Sequence, residues 1–73
     1  MSVDAVPDHF LCPISLEIMD EPVICSDGIT YEKREIKRWF LQHNTSPKTN
    51  VELLNKSLIP NYALKVYGIF MVY

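Results

Sequence analysis

The sequence is short of the residues that usually stabilise very small domains. Its 73 residues include two cysteines, Cys12 and Cys25, and two histidines, His9 and His43. A fold held together by two zinc ions needs about eight Cys or His ligands in paired spacings, and the sequence contains no Cys-x-x-Cys. The number of ligands excludes such a fold, and we expect neither a metal nor any other cofactor.

The two cysteines could form a disulfide, but the sequence around them favours free thiols. Residues 1–8 include the acidic Asp4 and contain no apolar stretch of the kind found in secretory signals. We therefore expect an intracellular protein, cytoplasmic, nuclear or both, whose reduced cysteines act as small core hydrophobes. No apolar stretch is long enough to span a bilayer, so we do not expect a membrane partner.

An excess of positive charge is also missing. Seven basic and nine acidic residues give a formal net charge of −2, which argues against nucleic acid as a partner. A small helical DNA-binding domain is a disfavoured alternative, which salt-dependent affinity for DNA would revive. One basic cluster is interleaved with Glu32 and Glu35, as on the solvated face of a helix; its members are Lys33, Arg34, Lys37 and Arg38.

The short chain limits the apolar core. A domain of this size buries about 60% of the surface that its unfolded chain exposes, and such a core supplies about 3–5 kcal/mol at most. Small domains usually rely on a disulfide, a metal or oligomerisation as well. A fold without zinc must therefore be stabilised in some other way.

The first half of the sequence predicts a loop followed by a β-hairpin. Residues 11–19 are rich in apolar side chains, but Pro13 argues against a regular helix there. Val23-Ile24-Cys25 has the composition of a strand, and Ile29-Thr30-Tyr31 has that of the returning strand. Between them, Asp27-Gly28 is a strong turn signal because glycine accepts a positive φ.

A helix is predicted from Glu32 to about His43, entered at Thr30 or Tyr31. Its apolar residues recur at i, i+3, i+4 and i+7; they are Ile36, Trp39, Phe40 and His43. A second loop follows at residues 45–50. Residues 51–58 predict only a turn or a brief strand, and no internal repeat is evident.

Ile59-Pro60-Asn61 is interpreted as the start of a second helix, with Asn61 as its N-cap, and this helix is predicted to continue through residue 73. It is apolar nearly all round, and such a helix needs more than one packing partner. We therefore expect either a homodimer through this helix or a neighbouring domain. In this interpretation one face packs on the core and other apolar residues are left over; the core face is Ala63, Val66, Tyr67 and Phe70, and the remainder is Leu64, Ile69 and Met71.

Five segments, in order, resemble the U-box family. They are Phe10-Leu11-Cys12-Pro13-Ile14 with Glu17-Ile18-Met19 and Glu21-Pro22-Val23; Asp27-Gly28-Ile29-Thr30-Tyr31-Glu32; Ile36 with Trp39 and Phe40; Ser46-Pro47-Lys48-Thr49-Asn50; and Leu58-Ile59-Pro60-Asn61 with Ala63-Leu64. The resemblance implies a small RING-like α+β fold without zinc: a β-hairpin, a central helix, two long loops and a C-terminal helix. It places the domain at residues 8–73, after a tail or linker at residues 1–7.

The resemblance also implies a function. A U-box is a ubiquitin-protein ligase domain, which binds a ubiquitin-charged conjugating enzyme and positions ubiquitin for transfer to a substrate lysine. The protein substrate would bind through regions outside this chain. The alternative is a dimerisation or partner-docking module of the same fold with little ligase activity. A covalent intermediate on this domain is not expected, because neither cysteine has an evident base partner.

The resemblance assigns roles to particular residues. Contacts with the conjugating enzyme would come from Ile14, Leu16, Trp39 and Pro47, although Trp39 could equally be a core residue. Asn50 stands where many active relatives have a basic residue that donates hydrogen bonds to ubiquitin and the enzyme, and it lacks that charge. A polar network would stand in place of zinc, with Ser15, Glu17, Asp27, Thr30 and Tyr31 around the first loop, and Arg34, Ser46, Thr49 and Asn61 around the second.

Overall fold

The structure, a computed structural model, describes residues 8–65. The predicted tail at residues 1–7 and the second predicted helix beyond residue 65 lie outside this part. The described elements are a 3₁₀ turn at Asp8–Phe10, β1 at Pro22–Ile24, β2 at Thr30–Glu32, α1 at Lys33–Phe40 and β3 at Ile59–Pro60. The strands form one antiparallel sheet in the order β2-β1-β3, and the predicted α+β fold is confirmed.

The hairpin forms where the sequence predicts it. Pro22 pairs with Glu32 and Ile24 with Thr30. Gly28 has a φ of 80°, which only glycine adopts without strain. The Asp27 carboxylate accepts a hydrogen bond from the Ile29 backbone N–H at 2.8 Å and so closes the turn from its side chain.

The central helix is shorter than predicted at both ends. Tyr31 and Glu32 belong to β2, and Glu32 is the N-cap of α1, with an extended backbone. Pairing with β1 holds these residues extended, so the strand leads directly into the helix. At the other end, the Leu41 N–H bonds the Arg38 carbonyl at 3.2 Å, and the Gln42 and His43 N–H groups bond the Trp39 carbonyl. The helix stops at Phe40 rather than near His43.

The third strand was not predicted, because Ile59-Pro60 was interpreted as a helix start. It pairs with β1 through Val23↔Pro60 and Ile24↔Ile59. Proline has no N–H to donate, and it is tolerated here because β3 is an edge strand.

The predicted N-cap is confirmed at Asn61. A helical turn begins at residue 62, and the Asn61 carboxamide oxygen accepts a hydrogen bond from the Leu64 N–H at 3.1 Å. Leu64 packs against the core, whereas Ala63 is exposed. The predicted assignment of these two residues was wrong, because the helix enters from the edge strand with a rotation that the sequence pattern does not reveal.

The core lies between the sheet and α1. Its fully buried members include Cys12, Tyr31 and Ile36. Both cysteines are buried and free, so no disulfide contributes. The other buried apolar residues are Phe10, Met19 and Val23. No helix within residues 8–65 is long and apolar enough to cross a membrane.

The two loops repeat the same design, which the sequence interpretation missed. The first loop is residues 12–17 and the second is residues 46–51. In the first, the Cys12 N–H bonds the Glu17 carbonyl at 2.9 Å and the Leu16 N–H bonds the Cys12 carbonyl at 2.7 Å. An isolated antiparallel bridge flanks each loop, Leu11↔Ile18 and Thr45↔Glu52.

The second loop reproduces these bonds position by position. The Ser46 N–H bonds the Val51 carbonyl, and the Asn50 N–H bonds the Ser46 carbonyl, both at 2.8 Å. Leu16 and Asn50 occupy equivalent positions and have the same φ of 61°. Each loop also has proline at its second position and a hydroxyl residue at its fourth. The protein therefore presents two matching turns on one sheet-and-helix scaffold.

Candidate functional site

The first loop and the end of α1 border an open cavity of about 290 Å³, called here the loop–helix cavity. Ile14 of the first loop and Trp39 of α1 both line it. Ile14 is only partly buried, and its inner side packs against the core. The remaining lining residues are Glu35, Arg38, Leu41, Gln42 and His43. The lining thus combines apolar side chains with polar and charged ones.

Trp39 is both a core residue and a surface residue. Its indole N–H donates a hydrogen bond to the Thr45 carbonyl at 2.6 Å and ties the helix to the start of the second loop. The indole ring also stacks on the His43 ring, with a centroid distance of 3.7 Å. These contacts fix the ring orientation before any partner arrives, which limits the entropy lost on binding.

Two exposed leucines flank this region. Leu16, in the first loop, is 72% exposed, and Leu41, just after α1, is 82% exposed. Exposed apolar groups close to a cavity are typical of partner sites. The sequence interpretation missed Leu41. Its position outside the apolar stripe of α1 could have indicated an exposed apolar side chain. Leu16 and Pro47 do not line the loop–helix cavity, and Pro47 is half-buried on the second loop.

A hydrogen-bonded cluster connects the hairpin to the second loop. The Asp27 carboxylate accepts hydrogen bonds from the Tyr31 hydroxyl at 2.8 Å and the Ser46 hydroxyl at 2.7 Å. The Ser46 oxygen in turn accepts bonds from the backbone N–H groups of Lys48 and Thr49, at 3.2 and 3.1 Å. One carboxylate therefore controls the geometry of the second loop across 19 residues of sequence.

Burial raises the pKa of Tyr31 well above its ordinary value of 10.0, and the neighbouring Asp27 carboxylate adds to that rise. Above about pH 10 the unfolded chain releases this proton while the folded protein keeps it. Tyr31 should therefore leave the free energy of unfolding unchanged below about pH 10 and lower it as the pH rises further. Tyr31→Phe should remove that dependence.

The measurement is the free energy of urea unfolding of both proteins at intervals from about pH 8 to about pH 11. The loss of the Tyr31 hydrogen bond lowers the stability of Tyr31→Phe equally at every pH. The ionisation of Tyr31 is therefore seen only in the slope of the free energy of unfolding against pH. Parallel curves for the two proteins would contradict the assignment.

The segment between the first loop and β1 is held by Glu32, a residue that the sequence interpretation placed on a solvated helix face. Its buried carboxylate accepts backbone hydrogen bonds from Asp20 at 2.7 Å and from Glu21 at 3.0 Å. The Glu32 N–H contacts the Cys12 sulfur at 3.3 Å. The strand–helix junction thus holds the backbone just before β1 and contacts Cys12, the first residue of the first loop.

The other residues assigned to a polar network lie at several places. The Ser15 and Thr49 hydroxyls each accept a backbone N–H bond at 3.3 Å within their own loop, and the Asn61 amide donates to the Thr30 hydroxyl at 3.2 Å. Asn61 therefore joins β3 to the hairpin rather than supporting the second loop. Glu17 and Arg34 are exposed, and neither side chain forms a hydrogen bond within residues 8–65.

Asn50 is exposed at the end of the second loop, in the left-handed region with a φ of 61°. Asparagine adopts this conformation more readily than most residues. Among residues 8–65, no three His, Cys, Asp or Glu side chains are grouped so that they could hold a metal ion.

Comparison with known proteins finds a matching family model and related sequences. A family model described as the U-box domain matches residues 6–67. U-box domain-containing protein 35 of Arabidopsis thaliana is 47% identical over 58 residues, covering 80% of this chain and 7% of the relative. U-box domain-containing protein 14 of the same plant is 51% identical over 61 residues, covering 82% of this chain and 10% of the relative. U-box domain-containing protein 70 of Oryza sativa subsp. japonica is 52% identical over 60 residues, covering 81% of this chain and 8% of the relative. The chain thus spans about a tenth or less of each of these relatives.

Proposed function

Because this chain belongs to the U-box family, known as a ubiquitin ligase domain, we propose that it binds a ubiquitin-charged conjugating enzyme and promotes ubiquitin transfer to a substrate lysine. The contacts would come from Ile14 and Leu16 of the first loop, Trp39 of α1 and Pro47 of the second loop. We add Leu41 to this set. The protein substrate would bind through regions outside this chain, and the reaction would take place inside the cell.

The observation that supports this proposal is the loop–helix cavity, with a rigid tryptophan and exposed apolar residues around it. Ile14 lines the cavity beside Trp39, whose orientation is fixed by Thr45 and His43. Pre-oriented aromatic side chains in a partly desolvated hollow are typical of interface hot spots. Arg38 and Glu35 at the rim add charges that select a partner and increase its association rate.

The proposed contribution to the reaction is positioning. Cys12 and Cys25 are buried at 0% and 3% exposure, so neither thiol is accessible for a thioester. The thioester stays on the conjugating enzyme, and the domain limits the motion of enzyme and ubiquitin so that a lysine amine attacks more often. A fixed loop geometry suits this role, and the Asp27 carboxylate holds Ser46 at the start of the second loop.

The test is a single-turnover discharge assay. A panel of conjugating enzymes, each charged with ubiquitin, is mixed with free lysine, with and without the domain, and loss of the thioester is followed over time. We expect faster discharge for at least one enzyme. Measurable binding without faster discharge for every enzyme would favour the alternative, a docking module of the same fold.

Asn50→Arg should speed discharge about five- to tenfold, because a charged donor strengthens a hydrogen bond to ubiquitin or the enzyme by roughly 1 kcal/mol. Arginine is less suited than asparagine to the left-handed conformation at this position. We therefore expect the variant to unfold at a slightly lower urea concentration while it discharges faster. The affinity for the uncharged enzyme should change little.

The matched control is Asn50→Gly, which retains the backbone conformation and removes the side-chain donor. It should discharge no faster than the parent protein. If Asn50→Arg is also no faster, the residue after Thr49 does not serve as a donor in this protein.

A further inference from the structure

A second cavity, of about 390 Å³, lies on the other side of α1 and is called here the lysine cavity. Its apolar lining comes from β1, β3 and the segments next to them; the residues are Pro22, Val23, Leu58, Pro60 and Tyr62. Lys33, Lys37 and Lys65 surround this lining. Lys33 and Lys37 are four residues apart on one face of α1, whereas the loop–helix cavity uses Glu35 and Trp39 from the opposite face.

The three lysines have no acidic partner within the described chain. The one ion pair among residues 8–65 joins Arg38 to Glu35 at 3.7 Å, on the other side of the helix. Glu21 is the single acidic residue in the lining, and it forms no ion pair with these lysines. Like charges around a concave apolar surface repel one another, and a bound anion relieves that repulsion.

The chain carries this local positive charge despite its net charge of −2. The cavity beside the first loop has the opposite character, with Arg34 as its only basic residue; its acidic lining residues are Glu17, Asp20, Glu21, Glu32 and Glu35. Apart from Glu21, which lines both cavities, the basic and acidic residues are therefore separated on the surface. Such an arrangement favours a short anionic ligand over a long polyanion such as nucleic acid, which would extend across the acidic region as well.

We propose that the lysine cavity binds an acidic peptide segment of a protein partner. An apolar side chain of the peptide lies against Tyr62 and Leu58, and its carboxylates face the three lysines. Tyr62 is 73% exposed and is free to cover such a side chain. Strand addition at β3 is not the mode of binding, because Pro60 has no N–H to donate. This site is separate from the proposed enzyme contacts and does not depend on ligase activity.

The test is fluorescence anisotropy with a labelled peptide rich in Asp and Glu that contains a central Leu-Phe pair. A peptide with Lys in place of the acids serves as the ligand control. The variant Lys33→Gln with Lys37→Gln should weaken binding of the acidic peptide about fivefold. The matched control, Arg34→Gln with Arg38→Gln, removes the same charge from the same helix and should leave the affinity within about twofold of the parent.

The apolar half of the site is tested by Tyr62→Ser, which should weaken binding about tenfold without loss of stability, because the side chain is exposed. Equal effects of the lysine and arginine pairs would overturn the proposal, since binding would then depend on overall charge alone. Tighter binding of a single-stranded DNA oligonucleotide than of the acidic peptide would overturn it too. Discharge of a charged conjugating enzyme by the lysine variant at the parental rate would separate this site from the proposed function.

Discussion

Asp27→Ala should lower the free energy of unfolding by about 3 kcal/mol, close to the full stability of a domain of this size. The change removes the acceptor for the hydroxyls of Tyr31 and Ser46 and for the Ile29 N–H. The two hydroxyls lie 3.5 Å apart and can still bond each other weakly, so one of them is left without a good partner. Burying such a group without a partner is what makes the substitution severe.

Urea unfolding monitored by Trp39 fluorescence and by circular dichroism measures this loss. The matched control is Asp20→Ala, which removes an exposed carboxylate that accepts no hydrogen bond within residues 8–65. Its effect should stay within about 0.5 kcal/mol. Asp27→Asn keeps one acceptor oxygen, so its free energy of unfolding should lie between those of Asp27→Ala and Asp20→Ala. An Asp27→Ala protein as stable as Asp20→Ala would show that the cluster does not stabilise the second loop.

Ile14→Ala should weaken binding to a conjugating enzyme by about 2 kcal/mol, or about thirtyfold in Kd, because it removes most of an apolar side chain that lines the loop–helix cavity. Discharge at sub-saturating domain concentration should slow by a similar factor. Ile14 also packs against the core, so the variant will lose some stability as well. Isothermal titration calorimetry with the uncharged enzyme, at a temperature where the variant is folded, gives the affinity.

Two further variants separate binding from folding. Ile29→Ala shortens another half-buried isoleucine packed on the same core, but on the hairpin, and should bind normally despite a similar loss of stability. Leu41→Ser alters a residue that is 82% exposed and should weaken binding without destabilising the domain. Pro47→Ala should weaken binding too. If Ile14→Ala and Leu41→Ser both bind like the parent, the enzyme docks elsewhere on the domain.

The local pattern of the sequence was sufficient for several features. Asp27-Gly28 between two β-branched runs predicted the hairpin, and Asn61 was correctly assigned as an N-cap. Each of these features depends on residues close in sequence, so the chemistry of a few neighbours specifies it. The ordered segments that resemble the U-box family likewise identified the fold, which the family match over residues 6–67 confirms.

The tertiary structure alone decided how distant residues meet. Glu32 resembled a solvated helix residue, yet pairing of β2 with β1 buries its carboxylate against the backbone of Asp20 and Glu21. The basic residues of α1 resembled one cluster, but Lys33 and Lys37 face a different cavity from Arg38. Within the sequence, each of these side chains could have been solvated or paired.

The sequence by itself therefore determined the hairpin, the exclusion of a two-zinc fold and the family, because turn chemistry, ligand number and ordered motifs are local or countable properties. Only the tertiary structure decided that the two loops match, that Asp27 holds the second of them, and that Leu41 borders the loop–helix cavity. Those features depend on the rotation of α1 and on hydrogen bonds between residues far apart in the chain. Such contacts form only when the core brings sheet and helix together.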